Sequence, residues 1–266
     1  MRLISWNVQW CRGMDGVVDP ARIAAELKRL ADPDIVCLQE VAAGFDELPG
    51  SRGEDQFAAL AAFFPGFSAH AVHPVDTNGK RFGNLILSRL PVKRVFRHSL
   101  PWPASPEAPS MPRAAIEAVI DAPGGALRVL TTHLEYSSAE HRAAQIARLR
   151  TLHAEACSPR LANEPGPYAL DALPRELLLC GDFNIPAGDA LHERIKDFGF
   201  LDCWETLYPD EPHPLTFRLH EHGKVRDPYC CDYFFATPEL APRLRAMRVD
   251  GDNMASDHQP VILELE

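Results

Sequence analysis

Leu177-Leu178-Leu179-Cys180-Gly181-Asp182-Phe183-Asn184 joins an unbroken apolar run to a carboxylate and a carboxamide set two residues apart. The run has the character of a buried strand. In extended backbone Asp182 and Asn184 share one face and Phe183 takes the other. Gly181 marks a tight bend or a close approach of another backbone. An acid and an amide aimed past a strand end suit the holding of a water, a metal or a phosphate. An Asx turn leaving the strand would use the same residues. The rest of the chain decides between these readings.

The same pattern recurs on both sides of this stretch. Leu3 to Val8 reads as a strand ending at Asn7. Asp19-Pro20 supplies an N-cap with proline at the first helical position. Ile23, Ala24, Leu27 and Leu30 follow at helical spacing. Ile35 to Leu38 is a short strand with Gln39-Glu40 at its end. This β-α-β opening places Asn7 and Glu40 at one rim of one sheet. Gln56 to Phe64 predicts a second helix. Strands are expected at Phe67 to His73, at Asn84 to Ser88, and at Val92 to Ser99, the last pairing with the one before it. Pro101 to Pro112 holds five prolines and reads as a loop. Ala114 to Ile120 and Leu127 to Thr132 predict a hairpin that ends at His133.

Ser137-Ser138-Ala139-Glu140 has the capping-box pattern and opens a helix carrying Ile146, Leu149 and Leu152. Residues 158–174 read as an exposed loop. Asp189 to Phe198 is helical, and 209–228 is a polar loop containing histidine. Cys231 to Thr237 is a strand interrupted on one face by Asp232, a carboxylate that needs a partner if buried. Ser256-Asp257-His258 precedes the last strand, Val261 to Leu265. Alternating strands and helices with several hairpins predict a mixed α/β layered fold in one domain, 1–266.

With 266 residues, 46% of them hydrophobic and 24% charged, the chain is long enough to bury a large core and has ordinary globular composition. A net charge of -10 argues against a globally basic surface built to grip long nucleic acid. Seven cysteines in no regular spacing predict reduced, mostly buried thiols. Met1 runs straight into Arg2-Leu3-Ile4-Ser5-Trp6 without a signal-like apolar segment, and no apolar run is long enough to span a membrane. The expectation is a cytoplasmic, monomeric protein without an obligatory protein partner.

Six strand ends thus carry polar residues. They are Ser5-Trp6-Asn7-Val8, Leu38-Gln39-Glu40, Thr132-His133-Leu134, Gly181-Asp182-Phe183-Asn184, Asp232-Tyr233 and Ser256-Asp257-His258-Gln259-Pro260-Val261. In this order the sequence resembles the endonuclease/exonuclease/phosphatase superfamily, which includes pancreatic-type deoxyribonucleases, abasic-site endonucleases, sphingomyelinases, inositol polyphosphate phosphatases and deadenylases. The resemblance spans nearly the whole chain. It implies an α+β, deoxyribonuclease-like four-layer α/β/β/α sandwich with two central mixed sheets, and a site where strand ends of both sheets meet.

The resemblance also implies a magnesium- or manganese-dependent hydrolase of phosphate esters. Glu40 would ligate the metal, with Asn7 and Asp257 completing or orienting its site. Asp182 would align or deprotonate the attacking water, and Asn184 would hold that water or the phosphate. His258 would contact a phosphate oxygen with its tautomer fixed by Asp232. His133 would contact the phosphate or the leaving group. Hard oxygen ligands suit those ions independently. Abasic-site endonucleases carry a tyrosine where His133 stands, so the chain looks more like the deoxyribonuclease, sphingomyelinase and phosphatase branches. Cys230 stands where the family usually has an arginine, which leaves no phosphate-binding or salt-bridging arginine at that position.

Other candidates are weaker. Asn84 suits substrate contact or a turn, Arg113 a phosphate clamp or a surface ion pair, and Trp10, with Arg12, a groove wall. Trp6 is expected in the core. Thr216-Phe217 lies beside the site in relatives. His213, His220 and His222 lack a cysteine pair or an H-E-x-x-H frame and read as a solvated loop. The substrate would be a nucleic acid or a small or lipid phosphate. A nuclease-like phosphodiesterase leads, a phosphomonoesterase or lipid-type phosphodiesterase is the alternative, and a catalytically silent binding module is remote. Specificity is expected in the loops at 76–83, 100–113, 158–174 and 209–229.

Overall fold

The alternating apolar runs become two six-stranded sheets packed face to face. The computed structural model describes residues 1–104, 109–158, 172–220 and 227–266. Parts of three of the four expected specificity loops, and His222, lie outside the described residues. In chain order the strands begin with β1 (Arg2–Asn7), β2 (Ile35–Ala43), β3 (Ser68–Thr77), β4 (Lys80–Ser88), β5 (Val92–Ser99) and β6 (Ala114–Ala122). They continue with β7 (Gly125–His133), β8 (Leu177–Asp182), β9 (Leu201–Asp202), β10 (Asp232–Ala236), β11 (Leu244–Val249) and β12 (Val261–Leu265). The helices are α1 (Pro20–Leu30), α2 (Gln56–Ala62), α3 (Ala139–Cys157), α4 (Ala190–Asp197) and α5 (Cys203–Leu207).

One sheet runs β11-β12-β1-β2-β4-β3, the other β5-β6-β7-β8-β10-β9. Each contains a parallel pair, β1 with β2 and β7 with β8, among antiparallel neighbours. Period-2 alternation divides the strand residues between three apolar layers. Leu3, Ile35, Ile116, Leu178 and Phe234 fill the space between the sheets. Their neighbours Ile4 and Val36 pack with Ile23, Leu27 and Leu60 of α1 and α2. Leu179 and Phe235 pack with Ile146, Leu149 and Ile195 of α3 and α4. The result is the four-layer α/β/β/α sandwich. Among the described residues no helix is long and apolar enough to cross a membrane. All seven cysteines are free, and six of them are buried.

Three expectations need correction. Val92 to Ser99 pairs with β6, not with β4, because the chain crosses between the sheets at Arg89-Leu90-Pro91. The strand after α1 does not stop at Glu40; it continues to Ala43 through a register shift between Leu38 and Val41, with Glu40 at φ 58°. The cap of α3 is Ser138, whose side chain accepts from His141 N, one residue later than the capping-box reading. Asp232 stands as expected, a buried carboxylate set into an otherwise apolar strand, with His258 as its partner. Strand β11 and helix α5 were not foreseen.

Gly181 is required where it stands. Its φ is +132°, and a Cβ there would lie 1.9 Å from the Thr132 carbonyl oxygen on the neighbouring parallel strand. Gly181→Ala therefore combines backbone strain with a clash against backbone, costing about 2–5 kcal/mol. Urea unfolding of both proteins measures this. A difference below about 0.5 kcal/mol, the usual effect of a neutral surface change, would contradict it.

Candidate active site

Strand register assembles the first part of the site. Asp182, the last residue of β8, lies opposite His133 at the end of β7 and opposite Asp232 at the start of β10. Directly paired residues project to the same face of a sheet. Three chemically active side chains therefore stand in one row across three strands. The backbone N–H of Asn184 donates to Asp182 Oδ1 at 2.9 Å. That is the Asx turn of the second reading, and it leaves Oδ2 facing the site. Oδ2 accepts from Asn7 Nδ2 at 3.0 Å and lies 3.4 Å from His133 Nε2 and 3.6 Å from His258 Nε2.

The other sheet supplies the opposite wall. Asn7 ends β1, and its Nδ2 also donates to Glu40 Oε1 at 3.0 Å. Glu40 reaches that position from the bulge in β2, where its left-handed backbone turns the side chain toward the rim. Segment 256–258 is tied to β1 twice. Ser256 Oγ donates to the Asn7 carbonyl at 2.8 Å, and Trp6 Nε1 donates to the His258 carbonyl at 2.9 Å. His258 Nδ1 then lies 2.9 Å from Asp232 Oδ2. Phe217 stacks on the His258 ring with centroids 4.3 Å apart.

Electrostatics follow from burial around clustered carboxylates. Burial pushes the Asp182 carboxyl up to about 6; His258 opposes that rise and Asp232 adds to it. Burial also raises Glu40, against the hydrogen bond from Asn7. His133 is held well below the ordinary histidine value by burial and by the Arg113 and His258 charges, so its ring is neutral. His258 goes the other way. Burial opposes its charge, but Asp232 and Asp182 carry it up to about 10. Asp232 Oδ1 is buried without a hydrogen-bond partner, so the charge of that carboxylate is spent on the imidazolium.

The donor set around Glu40 suits a hard divalent cation. Glu40 is half-buried, and a neutral histidine nitrogen, His133 Nδ1, lies 3.9 Å from its Oε1. A carboxylate raised by burial in this way is stabilised by an added cation. Asn7 turns its amide nitrogen toward Glu40, while its Oδ1 accepts from Gln9 N at 3.1 Å. As placed, Asn7 orients Glu40 and does not offer an oxygen. Asp257 Oδ2 accepts from Gln9 Nε2 at 2.7 Å.

The remaining sequence candidates fall around this centre. Asn184 Nδ2 donates to the Leu134 carbonyl at 2.9 Å, so its amide nitrogen braces the turn and does not point at a phosphate. Arg113 lies 3.6 Å from Glu135 with both groups buried, and lines one small hollow with Asn84 and His133. Asn84 itself donates to the Ala114 carbonyl at 3.0 Å. Trp10 is tied through its indole to the Pro49 carbonyl at 3.1 Å. Trp6 is fully buried, as expected.

Sequence reasoning missed Gln9 and Gln39. Gln9 sits in a left-handed turn of three non-glycine residues, Gln9, Trp10 and Cys11, at φ 45°, 43° and 60°. This costly backbone is what brings its amide to Asp257. No glycine announces the turn. Gln39 carries a readable signal, a polar residue directly after an apolar run, but the neighbouring Glu40 masks it.

Comparison with known proteins gives the family. The endonuclease/exonuclease/phosphatase family matches residues 4–258, and the chain belongs to that family. A solved endonuclease/exonuclease/phosphatase from Beutenbergia cavernae is 25% identical with a TM-score of 0.77, covering 100% of this chain and 71% of that one. The mannosyl-6-phosphatase of Bacteroides thetaiotaomicron is similar in fold at 18% identity and a TM-score of 0.71, covering 100% of this chain and 99% of that one. The DNA repair nuclease APEX1 of Danio rerio is 29% identical over 114 residues. That match spans 34% of this chain and 36% of the relative.

The charge on His258 is testable without substrate. Its ring should remain protonated through pH 8 in NMR spectra of the metal-free protein. Asp232→Asn removes the charge that favours the imidazolium, so the titration should move to lower pH. An unchanged titration would show that Asp232 does not set it.

Proposed function

We propose that the protein is a divalent-metal-dependent phosphoesterase, acting on phosphodiesters by in-line attack of water. The observation that carries this reading is the convergence on Asp182 Oδ2 of Asn7, His133 and His258 from both sheets. Glu40 is the residue to hold magnesium or manganese, oriented by Asn7, with Asp257 nearby under Gln9. When bound, such an ion draws charge from the phosphate oxygens.

Asp182, raised toward neutrality, aligns the water and accepts its proton. Its Oδ1 is fixed by the turn, so the geometry of Oδ2 is set before substrate arrives. His258 is a cation held in place by Asp232, and it donates to a non-bridging oxygen that gains charge in the transition state. His133, neutral, donates to the phosphate or to the leaving oxygen. Arg113 is a phosphate clamp whose charge already reaches His133.

A second reading, hydrolysis of a phosphomonoester or a lipid head-group diester, is favoured by the net charge of -10. That charge discourages a long polyanion more than a small one. Turnover of bis(p-nitrophenyl) phosphate and p-nitrophenyl phosphate with magnesium or manganese separates diester from monoester hydrolysis. The diester should turn over faster, and Asp182→Asn and His258→Ala should each lower that rate about a hundredfold or more. Background rates in the parent would sink the enzyme reading. Preference for the monoester would select the second.

A further inference from the structure

We propose that His192, Asp202, Glu205 and His213 form a second metal site, one for zinc, behind the catalytic row. His192 comes from α4, Asp202 from β9, Glu205 from α5, and His213 from the chain that follows. One ligand atom from each lies within 4.8 Å of all the others. His192 Nε2 and His213 Nε2 both converge on Asp202 Oδ2, at 2.9 and 3.0 Å. Tetrahedral zinc, with bonds of about 2.0–2.1 Å, sets its ligand atoms about 3.3 Å apart. The two separations from Asp202 Oδ2 would open by a few tenths of an ångström, and wider ones, up to 4.8 Å, would close, to admit the ion. Two imidazoles and two carboxylates are a ligand set zinc accepts, unlike the oxygen set around Glu40.

The surroundings are prepared for ligation. His192 is fully buried and the His213 side chain is 9% exposed. His192 Nδ1 accepts from Gly188 N at 3.4 Å and lies 3.4 Å from Glu193 Oε1, so metal at Nε2 would shift the ring proton to Nδ1, where Glu193 can accept it. A carboxylate on the far nitrogen is the usual support of a metal-bound histidine. Asp202 Oδ1 accepts from Trp204 N and Glu205 N, which fixes the carboxylate and leaves Oδ2 to the site. Lys196 Nζ lies 3.0 and 2.8 Å from the two oxygens of Glu205. That ammonium is the competitor. Zinc would take one oxygen and leave the other to the lysine.

The site is distinct from the catalytic centre. The rings of His192 and His213 pack on Tyr233, at centroid distances of 4.9 and 5.6 Å. Tyr233 faces the opposite side of β10 from Asp232. Metal here would pin the segment after α5. That segment leads to Thr216, whose Oγ accepts from Cys231 N and Asp232 N, and to Phe217 on His258. The reading of His213 as a solvated residue is thereby corrected. His220 bonds the Gly251 carbonyl at 2.8 Å and takes no part.

The test uses the full chain in a Glu40→Gln background, stripped with chelator and kept in excess magnesium. One zinc per chain should be taken up, with a higher melting temperature. Cobalt should give the visible absorption of a tetrahedral site. His213→Gln keeps an amide able to donate to Asp202 but ligates metal poorly, so uptake should vanish while the metal-free melting temperature holds. Lys196→Ala removes the cation that competes for Glu205 and should tighten zinc binding. No uptake by the stripped parent, or full stoichiometry retained in His213→Gln, would overturn the proposal. Should His213→Gln fail to fold, unchanged zinc affinity in Lys196→Ala would overturn it.

Discussion

One carboxylate oxygen, Oδ2 of Asp182, is where the two sheets meet chemically. From one sheet it takes the amide of Asn7 at 3.0 Å, and in its own sheet it stands beside His133 at 3.4 Å. Its partner oxygen is held by the turn at Asn184, so the carboxylate cannot rotate away. The Asx turn and the functional site are therefore the same object. The turn fixes one oxygen so that the other can be presented at a defined place.

This arrangement carries an electrostatic cost that the protein offsets locally. Asp182, Asp232 and Glu40 crowd into a desolvated space, where like charges and burial both favour protonation. The single cation His258 answers two of these carboxylates, Asp232 at 2.9 Å and Asp182 at 3.6 Å. Glu40 feels that charge only at longer range, and the histidine nearest it, His133, is neutral. The site is thus divided into a half neutralised by its own histidine and a half left for an external cation. Phosphoryl transfer has use for both, since positive charge is needed on either side of the phosphate.

The sequence discloses this site unevenly. Each polar strand end was visible because an apolar run stops abruptly at an acid, an amide or a histidine. What joins those ends is register, and register depends on partners far away in the chain. The in-line placement of His133, Asp182 and Asp232 across three strands has no local signature. The same blindness set Val92 to Ser99 beside the preceding strand, when Pro91 marks a crossing to the other sheet. Glu40 was found while its bulge was not, since nothing in Leu38-Gln39-Glu40-Val41 requires a positive φ. His213 shows the opposite failure. Sequence spacing separates it from His192, and only folding brings both to Asp202.

Because the site draws on both sheets, its assembly depends on the packing between them. Gln39 shows how that packing is keyed. Its buried amide leaves the first sheet and donates to Thr131 Oγ1 of the second at 2.9 Å. Thr131 lies two residues before His133, and Gln39 directly precedes Glu40. The same nitrogen reaches the Cys37 carbonyl and Ser5 Oγ within its own sheet, so the bond to Thr131 is the one that a slide of sheet on sheet would break, and it favours one sliding position over its neighbours. Apolar contacts alone, spread over Leu3, Ile116, Leu178 and Phe234, fix the distance between the sheets but discriminate poorly against small shifts. A shift of even one ångström would separate Asn7 from Asp182. The buried polar key and the cross-sheet bond at Asp182 thus act on the same degree of freedom, one inside the core and one at its rim.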